Sequence, residues 1–263
     1  MNRTRDYDFD LPPEQIAQHP LPIRSDSALL VIERDGDRIE HRTFRDLPAI
    51  LRPGDLLVIN DAAVVPARLL GRRTTGGKIA LLVLRSLPGG RAEVLLRSGR
   101  KPRPGQTILL EGGDGDPLAA KLEEKLGQGR WVLSLDGCGD LEAILAERGR
   151  APLPPYIHRS AKPEAIDPEH TNDLDRYQTI YARSPGAIAA PTAGLHFTPQ
   201  ILEQLAERGV EIARVTLWVG EGTFRPVSVD RVEDHTVAPE EYEISRPVAR
   251  TIDRARAQQR RVI

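Results

Sequence analysis

Two segments of the chain couple a short apolar run to a Gly/Thr loop and a side chain able to do chemistry. The first reads Ala189-Ala190-Pro191-Thr192-Ala193-Gly194-Leu195-His196-Phe197-Thr198-Pro199, the second Val215-Thr216-Leu217-Trp218-Val219-Gly220-Glu221-Gly222-Thr223-Phe224-Arg225-Pro226. His196 supplies an imidazole, which titrates near neutral pH and can accept or return a proton. Arg225 supplies a guanidinium suited to a carboxylate or phosphate. Thr192, Ala193 and Gly194 precede a helix start, where backbone N–H groups face anions. Gly222 and Thr223 are the loop residues of the second segment. Asp61 follows an apolar run and can accept hydrogen bonds from a ligand's hydroxyls or cap a turn. Tyr177 offers a ring that can stack on a planar group and Gln178 an amide that can hydrogen-bond one, or Tyr177 can fill a core. Each functional reading has a plain counterpart: His196 beside Phe197 as a packed residue, Arg225 as one half of a salt bridge, Thr198 as a helix cap.

The elements that must position these side chains follow from local patterning. Thr198–Arg208 reads as a helix, with Thr198 as N-cap, Pro199 in its first turn and Gly209 just past its end. Val210–Val219 returns as a strand, so a strand-loop-helix-strand-loop unit brings both loops to one end of a sheet, where α/β proteins bind ligands. Upstream, Ala28–Glu33 reads as a buried strand, turned by Asp35-Gly36 into a partner at Ile39–Phe44. A short helix at Pro13–Gln18, another at Phe44–Leu51 and a buried strand at Asp55–Asn60 complete the first part. From Ala67 to Leu135 the texture changes to short strands divided by Gly-rich turns, at a spacing typical of a small barrel. Gly139–Arg150 is an amphipathic helix, Asp173–Ala182 is helix-like, Val248–Gln259 is a final helix, and Arg261-Val262-Ile263 begins an apolar run. The fold class is therefore α/β, a mixed α/β domain with an inserted small β-barrel-like domain. Its expected parts are 1–66, 67–150 and 151–263.

With 40% hydrophobic and 29% charged residues in 263, the composition is that of a globular chain with ample core. No apolar run is long enough to span a bilayer, and the charged start is not a signal peptide. A lone cysteine, Cys138, excludes an internal disulfide or thiolate cluster and suits a cytoplasmic protein. A net charge of −1 gives no global attraction to nucleic acid. Locally, Arg97-Ser98-Gly99-Arg100-Lys101-Pro102-Arg103-Pro104-Gly105 holds no acid, and reads either as a phosphate contact or as a solvated loop tip.

Many stretches in order resemble one family, the S-adenosylmethionine:tRNA ribosyltransferase-isomerases of queuosine biosynthesis. They are Asp6–Pro12, Ile16–Pro20, Arg24–Ser27, His41–Phe44, Leu51–Val58, Asn60-Asp61, Pro66–Leu69, Pro154–Ile157, Arg176–Thr179, Ala189–Thr198 and Gly222–Val227. The resemblance implies transfer and isomerisation of the ribosyl part of S-adenosylmethionine onto 7-aminomethyl-7-deazaguanine at the tRNA wobble position. The products would be epoxyqueuosine-tRNA, adenine and methionine. It implies S-adenosylmethionine as ribosyl donor, with Asp61 on ribose hydroxyls, and tRNA as partner, with Tyr177 and Gln178 on a splayed anticodon base. It also implies no metal, no membrane, and a cytoplasmic monomer. The six histidines, without paired ligand spacing, agree with the absence of a metal.

The chain departs from the family pattern at clustered positions. Ala62-Ala63 stands where Thr-Arg is expected, Trp218 where a His is expected, and Ala238 at the second His of a downstream pattern from which His235 and Glu240 survive as binding candidates. The pattern runs on past Ile263, so a C-terminal portion is expected to be missing. Two readings remain open: an active transferase, or a catalytically degenerate paralogue that keeps the fold and binds nucleotide or RNA without turnover.

Overall fold

The computed structural model describes residues 2–34, 36, 38–113, 115–135, 140–159 and 173–263. Asp35 and the Cys138 turn lie outside them, as does the first residue of the helix expected at Gly139–Arg150. The chain forms two compact units, Met1–Val64 with Arg176–Ile263, and Val65–Asp175.

The first unit begins with the hairpin β1 (Ala28–Ile32) and β2 (Ile39–Thr43), whose register pairs Leu30 with His41. β1 was expected to be buried, but Leu30 is 52% and Ile32 64% exposed. A two-stranded ribbon covers only one of its faces, and here Leu29 on the other face reaches the core. Thr43 closes a capping box with Asp46, and the chain turns through α1 (Leu47–Ile50) into β3 (Leu56–Asn60) and β4 (Ala62–Val64).

The second unit holds β5 (Arg68–Arg73), β6 (Lys78–Leu87), β7 (Arg91–Ser98), β8 (Thr107–Leu110), β9 (Leu118–Gly127) and β10 (Arg130–Ser134). They close into an antiparallel barrel in the order β10-β7-β6-β5-β8-β9. Alternate residues point inward, so Leu69, Leu81, Val94, Leu96, Ile108, Leu110, Leu122 and Leu133 fill the interior. Gly71 is required where β5 and β8 meet, since a Cβ there would lie 2.6 Å from the Leu109 carbonyl oxygen. α2 (Leu141–Arg148) adds Ile144 and Leu145 to the same core.

Back in the first unit, β11 (Ser184–Ala187) pairs in parallel with β4. α3 (Pro199–Glu207) then crosses to β12 (Glu211–Trp218), which pairs in parallel with β3 and antiparallel with β13 (Glu241–Glu243). The Thr198 hydroxyl accepts from the Ile201 N–H at 3.3 Å, so the helix starts where its cap predicts. α4 (Arg246–Ala257) follows. β3 is covered on both faces: Leu57 and Ile59 meet Ile201 and Leu205 of α3, while Leu56 meets Ala255 of α4. This two-sided burial explains its unbroken apolar run. The last three residues add to its free edge, with Leu56 N donating to Arg261 O at 2.9 Å and Val58 N to Ile263 O at 2.7 Å. The helix-like segment Asp173–Ala182 is helical only to Arg176, which leaves Tyr177 and Gln178 beyond its end. Among the described residues no helix is long and apolar enough to cross a membrane.

Candidate active site

The two loops share a root. β11 and β12 belong to different ladders, yet Ile188 N and Ala189 N both donate to Val219 O, at 2.8 and 3.2 Å. From this point one loop runs into the 3-10 turn Thr192–His196 and the other into the 3-10 turn Glu221–Phe224. The expectation of one shared sheet is thus corrected. The loops converge through main-chain bonds made just past two neighbouring strand pairs.

Asp61 is 8% exposed and sits where β3, β11 and β12 approach. Its N–H donates to Val215 O, its carbonyl accepts from Arg183 N and Ser184 N, and its carboxylate accepts from the Thr216 hydroxyl at 2.7 Å. Beside it, Asn60 acts as a side-chain rung of the β3–β12 ladder, donating to Leu217 O at 2.9 Å and accepting from Leu217 N at 3.0 Å. Thr216 and Asn60 carry no signal as site residues beyond Asn60 standing next to Asp61.

His196 is half-buried, with its ring 5.4 Å from that of Phe44. Burial pushes its imidazole below the ordinary value, a hydrogen bond to the Arg24 backbone partly offsets this, and the Arg24 charge adds to the lowering. Neutral imidazole is therefore favoured, which suits a proton acceptor. Arg24 also donates to Leu195 O at 2.9 Å and so ties the N-terminal segment to this loop. Nothing in its local sequence marks Arg24 as a site residue beyond its lying in a family-like stretch. Thr192 and Ala193 are exposed, whereas Gly194 is buried against Tyr181 and Thr179. Burial raises the Tyr181 hydroxyl to about 12, so it stays protonated as a donor. The Thr179 hydroxyl, in a residue only 4% exposed, has no hydrogen-bond partner among the described residues.

The second loop is held from below. Gly220 N donates to a Glu240 carboxylate oxygen at 3.0 Å, and Arg225 N donates to Gly222 O at 3.1 Å. Glu240 thus braces the loop through one carboxylate oxygen. Gly222 packs beside Ala238, Thr223 is exposed, and His235 is half-buried behind a 3-10 turn. The Arg225 side chain is exposed and makes no ion pair among the described residues. No hydrogen bond or ion pair among those residues joins His196, Arg225 and Asp61 to one another.

Two expected base-binding residues are placed otherwise. Tyr177 is 7% exposed, which leaves its ring no open face for a splayed base, so its packing role is the one seen. The Gln178 amide is spent on the β4 backbone, accepting from Val64 N at 3.0 Å and donating to Val64 O at 3.2 Å. Among the described residues no three His, Cys, Asp or Glu side chains gather closely enough to hold a metal ion.

A family description, "Queuosine biosynthesis protein", matches residues 4–263. A protein from Anaeromyxobacter sp. is 49% identical over 99% of this chain and 73% of its own length, and bears the name S-adenosylmethionine:tRNA ribosyltransferase-isomerase. Proteins of the same name from Desulfitobacterium hafniense and Thermus thermophilus are 45% and 46% identical, each over at least 98% of this chain and 72–73% of their own. A crystal structure titled S-adenosylmethionine tRNA ribosyltransferase, from Thermotoga maritima, aligns with 98% of this chain and 68% of its own at 28% identity and a TM-score of 0.40. The chain belongs to the queuosine biosynthesis protein family.

Proposed function

We propose that this protein is an S-adenosylmethionine:tRNA ribosyltransferase-isomerase. It would move the ribosyl part of S-adenosylmethionine to 7-aminomethyl-7-deazaguanine at the tRNA wobble position, giving epoxyqueuosine-tRNA and releasing adenine and methionine. The observation that carries this reading is the near-complete match, at 43–49% identity, to relatives that bear this name.

The loop geometry supports a division of labour. His196, kept neutral by burial, is the proposed acceptor of the ribose proton that the adjacent sulfonium acidifies. Arg225, with no ion pair among the described residues, is the proposed counter-charge for the methionine carboxylate. The buried Asp61 carboxylate, oriented by Thr216, is proposed for ribose hydroxyls. Backbone groups of Thr192, Ala193, Gly194, Gly222 and Thr223 would line the donor, and His235 would stand behind the second loop. Gln178, Tyr177 and Glu240 act in this reading as supports for the elements that carry the site. The barrel, as an inserted domain, would fold as its own unit. The protein would work as a cytoplasmic monomer, where its tRNA substrate resides.

The test is adenine release from S-adenosylmethionine in the presence of precursor tRNA, with anticodon nucleosides analysed by mass spectrometry. Adenine together with epoxyqueuosine is expected. Folded protein that releases none would overturn the transferase and leave the degenerate paralogue.

A further inference from the structure

The barrel carries a like-charged cluster that the ribosyl chemistry does not use. Arg68, on β5, is directly opposite Arg150: Arg150 N donates to Arg68 O at 2.8 Å, and Arg68 N donates to Arg150 O at 3.1 Å. Residues so paired send their side chains to the same face, where two like charges destabilise the pair. The ladder register adds a third arginine. Arg97 of β7 lies across from Ala80 of β6, which lies across from Leu70 of β5, while Arg68 lies across from Leu82. Because Leu69, Leu81 and Leu96 point into the barrel, Arg68 and Arg97 both belong to its outer face.

Among the described residues no acid balances the group. Nearby carboxylates are committed elsewhere, Glu93 to Arg85 and Arg130 at 2.7 and 3.1 Å, and Glu111 to Arg72 at 3.2 Å. Arg68 is largely desolvated, and the charges acting on it, those of Arg150 and Arg97, are both repulsive; together they hold its guanidinium below the usual value. None of the three forms an ion pair with another described residue. β7 then runs into the loop holding Arg100, Lys101 and Arg103, all exposed. The Ser98 hydroxyl donates to Arg100 O at 2.7 Å and shapes the start of that loop.

A fold that retains repelling guanidiniums without counter-ions is under-compensated unless a ligand provides the negative charge. Arginine's planar fork matches phosphate oxygens bidentately. The positive groups extend over β5, β7, the bridge segment at Arg150 and a loop, so a single small anion would meet only part of them, whereas a chain of phosphates would meet them in succession. We propose that Arg68, Arg97 and Arg150, with Arg100, Lys101 and Arg103, form a phosphodiester-binding surface for RNA on the outer face of the barrel. The choice of RNA as ligand rests on the tRNA-substrate reading above. The surface positions the nucleic acid by its backbone and reads no base.

The experiment is fluorescence anisotropy of the full chain with unmodified tRNA across a salt series, for wild type, R68Q/R97Q, R97K and R100Q/K101Q/R103Q. Both charge-removing variants should bind about tenfold or more weakly. They should also lower the slope of log K against log salt by about 0.7–0.9 for each phosphate that is no longer neutralised. R97K should keep the wild-type slope. R68Q/R97Q should melt at or above the wild-type temperature, because repulsion is relieved. Unchanged affinity and slope in variants that melt normally would overturn the proposal. So would a preference for anionic lipid vesicles over tRNA, or suppression of binding by inorganic phosphate at concentrations that matter only to a free-phosphate site. Binding is read without turnover, so the two readings separate. Arginine-dependent tRNA binding without adenine release leaves this surface standing and removes the transferase; adenine release with binding indifferent to the substitutions does the reverse.

Discussion

The indole of Trp218 fills the space beside Gly186: a Cβ on Gly186 would come within 2.9 Å of the indole Cδ1, and the indole nitrogen donates to Pro185 O at 3.0 Å. This joins β12 to β11 at the root of both loops. The large indole is thus housed by a glycine on the neighbouring strand. Gly186 also has φ +132°, a backbone conformation side chains resist. Gly186→Ala should therefore lower stability by about 1–3 kcal/mol in denaturant unfolding. Adding Trp218→His should return the steric part of that decrease and leave the backbone part; a double variant no more stable than Gly186→Ala would show that the indole packing is unimportant.

A second glycine sets the first loop. A Cβ on Gly194 would lie 2.4 Å from the Tyr181 hydroxyl and 2.9 Å from Thr179 Cγ2. Gly194→Ala must displace the segment carrying His196, and a displacement of about 1 Å can cost about a hundredfold in rate. Adenine release by Gly194→Ala should fall accordingly. Tyr181→Phe in the same chain removes the clashing oxygen but leaves the Thr179 contact, and should recover part of the activity. Equal activity in the single and double variants would place the cause elsewhere.

His196 gives the protein a pH dependence of known sign. Its imidazole is held below the ordinary value of 6.5, so the folded chain takes up this proton less readily than the unfolded chain. Stability from the neutral ring is present above 6.5 and is lost as the pH falls below it, where the unfolded state binds the extra proton. The wild-type free energy of unfolding should drop more steeply than that of His196→Gln as the pH is lowered from neutral. Parallel curves would mean that the ring is not desolvated. As the proposed proton acceptor, His196→Gln should also lose adenine release at all pH values.

Arg225 separates function from support. Its exposed guanidinium has no ion pair among the described residues, so Arg225→Gln should change stability by no more than about 0.5 kcal/mol. A charged hydrogen bond to the methionine carboxylate is worth about 1.5–3 kcal/mol, so the KM for S-adenosylmethionine should rise about tenfold or more. A drop in stability with unchanged KM would return this residue to a structural role.

What could be read from sequence was what neighbouring residues encode. Thr198, Pro199 and Gly209 mark their helix ends through caps and backbone preferences that act within one turn. Alternating Leu69 and Leu81 announce barrel strands because strand side chains change face at every residue. The ordered motifs announced the family, since many short matches in sequence need no coordinates. Tertiary structure alone decided which partner each side chain meets. Gln178 looked free to grip a base until Val64, 114 residues away, took both ends of its amide. Tyr177 looked ready to stack until packing closed over its ring, and β1 looked buried until its hairpin proved uncovered on one face. The opposition of Arg68 and Arg150 belongs to the same class: residues distant in sequence acquire a shared electrostatic meaning only when strand pairing sets them on one face.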